Sequence, residues 1–324
     1  MLPLEHRKAA RVGDPYPDAP LVYHQLTTVI PHTVPGPSDA DAINRKPGKF
    51  PLQYENININ VNINVPEGEK RGMTIEILKS MAKENQVFSF DQLYQKTQIS
   101  KGMLRVILFR LEEKGFIERI DKGKYLIIPL GSEKGKYTLH EFIIGSYLVE
   151  PYAISYWSAL HYYGLTEQIP ATVFIQTPAR KNKSAMEIFG VNYRIVRVKE
   201  EKFFGIRKEW IEETPVSIAD KEKTIIDCLD KLQYSGGIVE VTKALKSSSL
   251  DRDRLADYAI RIGNFAVVRR LGYLCEKMGV HINLPLPRSK KYLLLDPTMP
   301  AEGKNDPKWR LVINHDAGLP ESLE

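Results

Sequence analysis

Apolar and polar positions follow a helical period in two consecutive segments after the first quarter of the chain. The first segment begins at Ser89, a residue type that caps helix N-termini well, and its apolar positions recur three and four residues apart. The second runs from Ser100 to about Lys114, and Gly115 after it tolerates the left-handed conformation that ends many helices. Its predicted core face consists of Leu104, Ile107, Leu108 and Leu111. The pattern therefore predicts two helices joined by a short turn.

A predicted β-hairpin follows the second helix. Residues 116–120 and 124–128 have the apolar content of strands, and Gly123 in the short turn between them allows a positive φ. One more helix is predicted at 74–84, before the helix pair. This order of elements is the plan of a winged helix-turn-helix, a module that places its second paired helix in the DNA major groove. The sequence therefore predicts such a domain over residues 73–135.

Cations in this segment lie away from the predicted core face. Lys101, Arg105 and Arg110 lie off that face on the second helix, where they can meet DNA phosphates or base edges. Residues 73–130 hold ten Lys and Arg against seven Asp and Glu, which is a modest excess. Charged residues on an exposed helix are often only solvated, so a helical pair and hairpin without a DNA role is the alternative. The order of the elements favours DNA binding more strongly than the charge does.

Length and composition set further bounds. With 324 residues, of which 43% are hydrophobic, the chain is long enough for two packed domains and a tail. Its net charge of +6 and pI of about 9.0 suit a nucleic-acid partner without demanding one. Cys228 and Cys275 lie in apolar helical segments, which is typical of small core residues in a reducing compartment. The sequence contains no run of 18 apolar residues and no signal peptide, so we expect a cytoplasmic protein with no membrane partner.

Residues 1–72 differ in composition from the rest. They hold ten of the 21 prolines and little periodic apolar pattern, so we expect no packed fold there. Asn alternates strictly with Ile or Val over 56–65, as in one strand or a low-complexity stretch. The repeat also fits an AT-rich leader read in frame, with translation starting at Met73. A disordered arm that adds weak DNA contacts is the alternative.

Residues 136–324 are predicted to form a second, mixed α+β domain with a small sheet and a helical bundle, which makes the whole protein α+β. Its predicted strands are 172–177, 193–198, 202–206, 292–295 and 309–313. Its predicted helices are 140–148, 155–163, 217–232, 236–245, 251–262 and 264–278.

Two polar features of this second domain are open to interpretation. Glu222, Lys223 and Asp227 share one predicted helix at spacings that allow a polar network, and Arg270 is expected to bond one of their carboxylates. The basic loop at 180–183 is either a solvated loop or a second patch for phosphates.

Six segments of the second domain, taken in order, resemble a known family. They are AISYWSALHYYGLTE at 153–167, KFFG at 202–205, DKEKTIIDCLD at 220–230, GGIVE at 236–240, RLGYL at 270–274 and LDP at 295–297. This set is similar to the AbiEi family of antitoxins and transcriptional regulators. The resemblance spans about residues 73–314, including the winged helix-turn-helix, and excludes the first 72 residues.

The resemblance implies a protein with two roles. The winged helix-turn-helix would bind operator DNA in its own promoter, and the second domain would counteract a nucleotidyltransferase-like toxin encoded next door. Such pairs are type IV toxin–antitoxin systems, in which a stable complex with the toxin is not required. One such DNA-binding domain covers few base pairs, so two copies on paired half-sites are expected. The implied DNA-binding residues are Ser100, Lys101, Arg105, Arg110, Arg119, Lys122 and Lys124.

Signatures of catalysis, metal binding and cofactor binding are absent from the sequence. It has no G-x-x-x-x-G-K-[ST] phosphate loop and no H-E-x-x-H motif, and its seven His residues show no metal-ligand spacing. Nucleotidyl transfer needs a Gly-Ser pair that holds the phosphates, closely followed by two carboxylates that bind metal ions. The Gly-Ser pair that begins at Gly131 is far from the carboxylates Asp251 and Asp253, which lie where acidic residues suit a helix start. We therefore expect no enzyme activity and no cofactor. The alternative function is a winged-helix regulator whose second domain binds a ligand or another protein and which has no toxin partner.

Overall fold

The computed structural model describes residues 86–128, 139–181, 183–247 and 250–319. The expectations for residues 1–72, for a helix at 74–84 and for Gly131 lie outside the described residues. Within those residues the protein has both helices and sheets, as the α+β prediction requires.

The first described segment contains the predicted helix pair and hairpin. Its elements are β1 (Val87–Ser89), α1 (Phe90–Thr97), α2 (Lys101–Glu113), β2 (Ile117–Asp121) and β3 (Lys124–Ile127). β3 lies between the other two strands and is antiparallel to both. The helices and the hairpin agree with the sequence prediction, and β1 was not predicted.

This three-stranded sheet buries both of its faces. One face packs on the helix pair in a cluster that includes the whole predicted core face of α2. The other face contributes Val87, Ile120, Leu126 and Ile128 to a cluster with residues 139–218. The sheet is therefore sandwiched between its own helices and the next part of the chain.

A second sheet of six strands follows. The six strands are β4 (Ala153–Ile154), β5 (Thr172–Thr177), β6 (Ala185–Ile188), β7 (Val191–Arg197), β8 (Ile206–Ile211) and β9 (Thr214–Ala219). Two helices belong to the same part of the chain, α3 (Glu141–Ser146) before β4 and α4 (Tyr156–Tyr162) between β4 and β5. The strand order is β6-β7-β5-β4-β9-β8. The pairs β5–β7 and β4–β9 are parallel, and the other neighbours are antiparallel.

Several of the predicted element bounds in and beside this sheet were wrong. The predicted strand at 202–206 is a 3₁₀ turn at Glu200–Lys202, and a hairpin of β8 and β9 begins only at Ile206. The helix predicted from residue 217 begins at Lys221, because the preceding residues end β9 and the side chain of Asp220 caps the helix. β6 was missed because it is a strand of only four residues at the edge of the sheet and is largely exposed.

Helices and a small third sheet complete the fold. They are α5 (Lys221–Asp230), α6 (Ile238–Ser247), α7 (Arg252–Arg261), α8 (Phe265–Lys277), β10 (Leu293–Leu294), β11 (Lys304–Asp306) and β12 (Leu311–Ile313). Asp251 and Asn264 cap α7 and α8, at the positions where the sequence predicted these helices to begin. Cys228 and Cys275 are buried free thiols, in agreement with their predicted core role.

The polar network on α5 is present, and two of its predicted members pair with each other. Lys223 forms an ion pair with Asp227, and both side chains are almost completely buried. The amide of Gln176 on β5 donates to the second oxygen of Asp227 at 3.0 Å. The prediction that Arg270 bonds a carboxylate of this group was wrong, because its guanidinium donates to the backbone carbonyls of Leu229, Leu294 and Leu295.

Candidate nucleic-acid interface

The turn between α1 and α2 has local causes in the sequence. A capping box joins Ser89 and Gln92 at the start of α1, so the helix begins at a defined residue. The residue that caps the end of α1 is Gln98, whose left-handed backbone (φ 56°) turns the chain. The Ser100 hydroxyl oxygen accepts from the amide of Met103 at 3.3 Å and caps α2. Ser100 thus has a defined capping role, while its exposed hydroxyl can still donate to a phosphate.

The exposed face of α2 combines cations with apolar side chains. Lys101 lies over the ring of Tyr94 at 5.0 Å, and Arg105 lies over the ring of Phe90 at 5.8 Å. Both cations are exposed, so the aromatic rings restrict their directions without removing them from solvent. This face offers point charges for phosphates and a guanidinium fork for a base edge.

Two exposed apolar residues on the same face were missed by the sequence reasoning. Val106 is 42% exposed and Phe109 is 59% exposed. A helical wheel could have identified both residues as exposed, because they lie opposite the four buried leucine and isoleucine side chains of α2. Apolar side chains in this position can contact a thymine methyl group in the major groove.

Arg110 lies in a different environment from Arg105. It is half-buried, and one of its terminal guanidinium nitrogens is buried without a hydrogen-bond partner among the described residues. Arg110 is therefore at the side of α2 and is less available to DNA than Lys101 or Arg105.

The hairpin turn presents two exposed cations. Arg119 on β2 is exposed, and its Nε donates to the carbonyl of Asp121 at 3.4 Å. The pairing of β2 with β3 is irregular between these two residues. Lys122 in the turn is exposed, and Gly123 next to it has a φ of 70°. These two cations are in positions from which a hairpin can reach phosphates.

Lys124, the third predicted cation of the hairpin, faces the second domain. Its ammonium donates to the carbonyl of Tyr147, and the side chain is half-buried. Burial lowers the pKa of Lys124, and the nearby ammonium of Lys181 lowers it further. We therefore assign Lys124 to the packing between the hairpin and the following segment.

The turn is also bound by the basic loop of the second domain. The Nζ of Lys181 lies 2.7 Å from the carboxylate of Asp121 and also donates to the carbonyl of Leu148. Burial favours a raised pKa for Asp121, but Lys181 and the backbone amide of Lys122 outweigh it, so the pKa is lowered. The carboxylate is thus charged and already neutralised by a fixed partner.

Two expectations for the second domain concern metal ions and the carboxylates Asp251 and Asp253. No group of three or more His, Cys, Asp and Glu among the described residues could hold a metal ion. Asp251 caps α7 by accepting from the amide of Arg254, and Asp253 is exposed in the first turn of this helix. None of the described helices has the length and apolar content to cross a membrane.

Comparison with solved structures finds similar folds. The chain is similar to the crystal structure of the RV2827C protein from Mycobacterium tuberculosis, with a TM-score of 0.52 and 14% sequence identity. The similarity covers 73% of this chain and 89% of that one. At this identity the likeness concerns the fold alone. No protein-family model and no curated protein matches the chain.

Proposed function

We propose that the protein is a DNA-binding transcriptional regulator that represses its own promoter. The observation that carries this proposal is the exposed face of α2, where Arg105 and Lys101 lie on a capped second helix beside a cationic hairpin turn. The helix pair and the antiparallel sheet in the order β1-β3-β2 support a winged helix-turn-helix. Two copies on paired half-sites would read an operator longer than one domain can cover.

We further propose that the protein is the cytoplasmic antitoxin of a type IV toxin–antitoxin pair. This part of the proposal rests on the sequence resemblance to the AbiEi family over residues 153–297, and it names a domain without naming a contact residue. Its partner would be a nucleotidyltransferase-like toxin encoded by a neighbouring gene. Co-expression with the product of that gene tests the role: the proposal expects this protein to restore growth, and it fails if growth stays inhibited.

A second candidate keeps the DNA-binding role and replaces the toxin with another binding partner. It is favoured by an apolar groove of about 570 Å³ between α7, α8 and the loop after α8. Ile260, Phe265 and Leu286 line this groove with more than half of each side chain exposed. Exposed apolar surface of this kind often marks a binding face. A gene with no toxin-like neighbour would favour this candidate.

Replacing Arg105 with Ala tests the DNA-binding proposal. If its guanidinium reads a base, the variant should lose about 1–3 kcal/mol of binding free energy on the protein's own promoter. Fluorescence anisotropy with a labelled duplex from the region upstream of the gene measures the affinity, and a duplex of unrelated sequence measures the loss of preference.

The matched control is Arg288→Ala, which removes an exposed arginine from the loop after α8. This variant should bind both duplexes as the unaltered protein does. Equal binding by the Arg105 and Arg288 variants would reject α2 as the reading helix, and an unaltered protein that ignores both duplexes at low salt would reject the proposed function.

A further inference from the structure

We propose that the apolar groove between α7, α8 and the loop after α8 binds a small amphipathic carboxylate, a molecule with an apolar body and one anionic end. The inference does not depend on DNA binding or on a toxin. It rests on the second candidate function, which it deepens by giving the class of the ligand.

The walls of the groove suit the apolar body of such a ligand. Ile260 of α7, Phe265 of α8 and Leu286 of the loop line it, and the side chain of Val268 lies buried behind them. The volume of about 570 Å³ falls in the range of roughly 300–1,000 Å³ that is usual for small-molecule sites. An apolar ligand would remove the three exposed side chains from water, which favours binding.

The uncharged polar side chains of the groove already have partners. The amide of Asn264 donates to Asp230 at 2.7 Å, and its carbonyl oxygen accepts from the backbone amide of Ala266. The hydroxyl oxygen of Ser289 accepts from the backbone amide of Lys291. The polar character of the groove therefore comes mainly from its two arginines.

The first arginine, Arg269, is a buried cation without a carboxylate partner among the described residues. It is only 5% exposed, and one guanidinium nitrogen donates to the backbone carbonyls of Lys291 and Arg310, while its Nε is buried with no described partner. Burial lowers the pKa of Arg269, and the guanidinium of Arg310 lowers it further. A buried charge of this kind is costly, so an anion held close to it would be stabilised.

The second arginine, Arg288, is exposed and also lines the groove. Its guanidinium can bind a carboxylate through two parallel hydrogen bonds, with the charge of Arg269 adding to the attraction. None of the residues that line the groove is acidic. A second copy of the chain would therefore bring like charges together here, whereas a ligand with an anionic end complements the groove.

Isothermal titration calorimetry of the full chain tests the proposal with three probes below their micelle-forming concentrations. Decanoate has both required parts, butanoate keeps the carboxylate with a short tail, and decylammonium keeps the tail with the opposite charge. Decanoate should bind with one site per chain. Butanoate should bind more than about tenfold more weakly because it buries less apolar surface, and decylammonium likewise because it meets two cations.

Two variants locate the site. Phe265→Ala/Leu286→Ala removes two exposed apolar walls and should weaken decanoate binding about tenfold. Arg288→Glu should weaken decanoate binding by a similar factor and remove the preference for decanoate over decylammonium, because the exposed end of the groove then carries a carboxylate.

Matched control variants change the same kinds of side chain elsewhere in the second domain. Ile169→Ala/Trp210→Ala removes two apolar side chains that are 80% and 70% exposed, and Arg207→Glu reverses an exposed arginine on β8. Both controls should bind decanoate as the unaltered protein does. Melting temperatures verify that every variant keeps its fold.

Several outcomes would overturn the proposal. Absence of decanoate binding, equal binding of decanoate and decylammonium, or equal losses in the groove and control variants would reject the site. A dimer that Phe265→Ala/Leu286→Ala converts to monomer in sedimentation would make the groove a contact between copies. An amphipathic helical peptide of Leu and Glu that binds there more tightly than decanoate would make it a site for a partner protein.

The DNA-binding proposal is tested separately. A protein that binds its promoter duplex and ignores decanoate would reject the groove site alone, and one that binds decanoate and ignores the duplex would reject DNA binding alone.

Discussion

The ion pair between Lys223 and Asp227 is a costly arrangement at the level of single residues. Both side chains are removed from water, and each needs the other to offset the loss of hydration. Gln176 adds a hydrogen bond to Asp227, and the ring of Phe204 lies 4.9 Å from the ammonium. The sequence placed Lys223 and Asp227 one turn apart, but only the fold buries them. We therefore expect this pair to be a sensitive point for stability.

Replacing Lys223 with Met should lower the free energy of unfolding by about 3–5 kcal/mol, because Asp227 is left buried without its cation. Burial raises the pKa of Asp227, and Lys223 opposes that rise in the unaltered protein. Without Lys223, the pKa of Asp227 in the folded state is higher than in the unfolded state. Protonation of Asp227 then stabilises the folded state at acidic pH, and this contribution to stability is lost as the pH rises. Urea unfolding should thus show a larger defect at pH 8 than at pH 5.

The double variant Lys223→Met/Asp227→Leu is the control for that experiment, since it removes both charges. It should be more stable than the single variant at pH 8 and show little of its pH dependence. A single variant that is no less stable than the double one, at both pH values, would contradict the importance of the unpaired carboxylate.

At the level of an element, α8 is shaped by one close approach. Gly272 lies in the middle of this helix, and a Cβ atom there would stand 2.2 Å from the ring of Trp309. The indole N–H of Trp309 donates to Glu276 on the same helix at 2.7 Å, which restrains the ring. Glycine is therefore required by tertiary packing, although it is a poor helix former.

Replacing Gly272 with Ala should destabilise the protein by roughly 1–3 kcal/mol, because overpacking outweighs the gain in helix propensity. Thermal unfolding followed by circular dichroism measures the change. Gly102→Ala in α2 is the matched control, since nothing lies within 4 Å of a Cβ atom there, and it should be neutral or slightly stabilising. A stabilising effect of Gly272→Ala would show that the Trp309 ring can retreat.

For the whole molecule, the sheet of the hairpin joins two parts of the chain into one packed body. Leu126 on β3 is fully buried in the cluster that also contains Phe142 on α3 and Ile175 on β5. Hydrogen bonds from Lys124 to Tyr147 and from Lys181 to Asp121 also join the hairpin to the second domain. We expect residues 86–128 and the second domain to unfold in one transition.

The variant Leu126→Ala tests this coupling. All three tryptophans lie in the second domain, at positions 157, 210 and 309, so their fluorescence reports on that domain alone. If the parts are coupled, the cavity should lower the free energy of unfolding seen by tryptophan by about 2–5 kcal/mol. Val106→Ala on the exposed face of α2 should leave the midpoint unchanged. An unchanged midpoint for Leu126→Ala would mean that the two parts unfold independently.

The candidate site was only partly visible in the sequence. The cap at Ser100 and the exposed positions of Lys101 and Arg105 follow from helical spacing, and in the structure Ser100 caps α2 and both cations are exposed. Lys124 could not be assigned in this way, because strand alternation gives the face of a side chain without giving what covers that face. Its partner, the carbonyl of Tyr147, comes from a different element.

Local signals therefore determined the helices, their caps and the hairpin, since hydrophobic period, capping side chains and turn glycines act over a few residues. Tertiary structure alone decided which charged groups are paired and which remain free. Lys181 and Asp121 are 60 residues apart, and Gln176 and Asp227 are 51 apart. No periodicity links such positions, because their contact depends on how separate elements of the chain pack against each other.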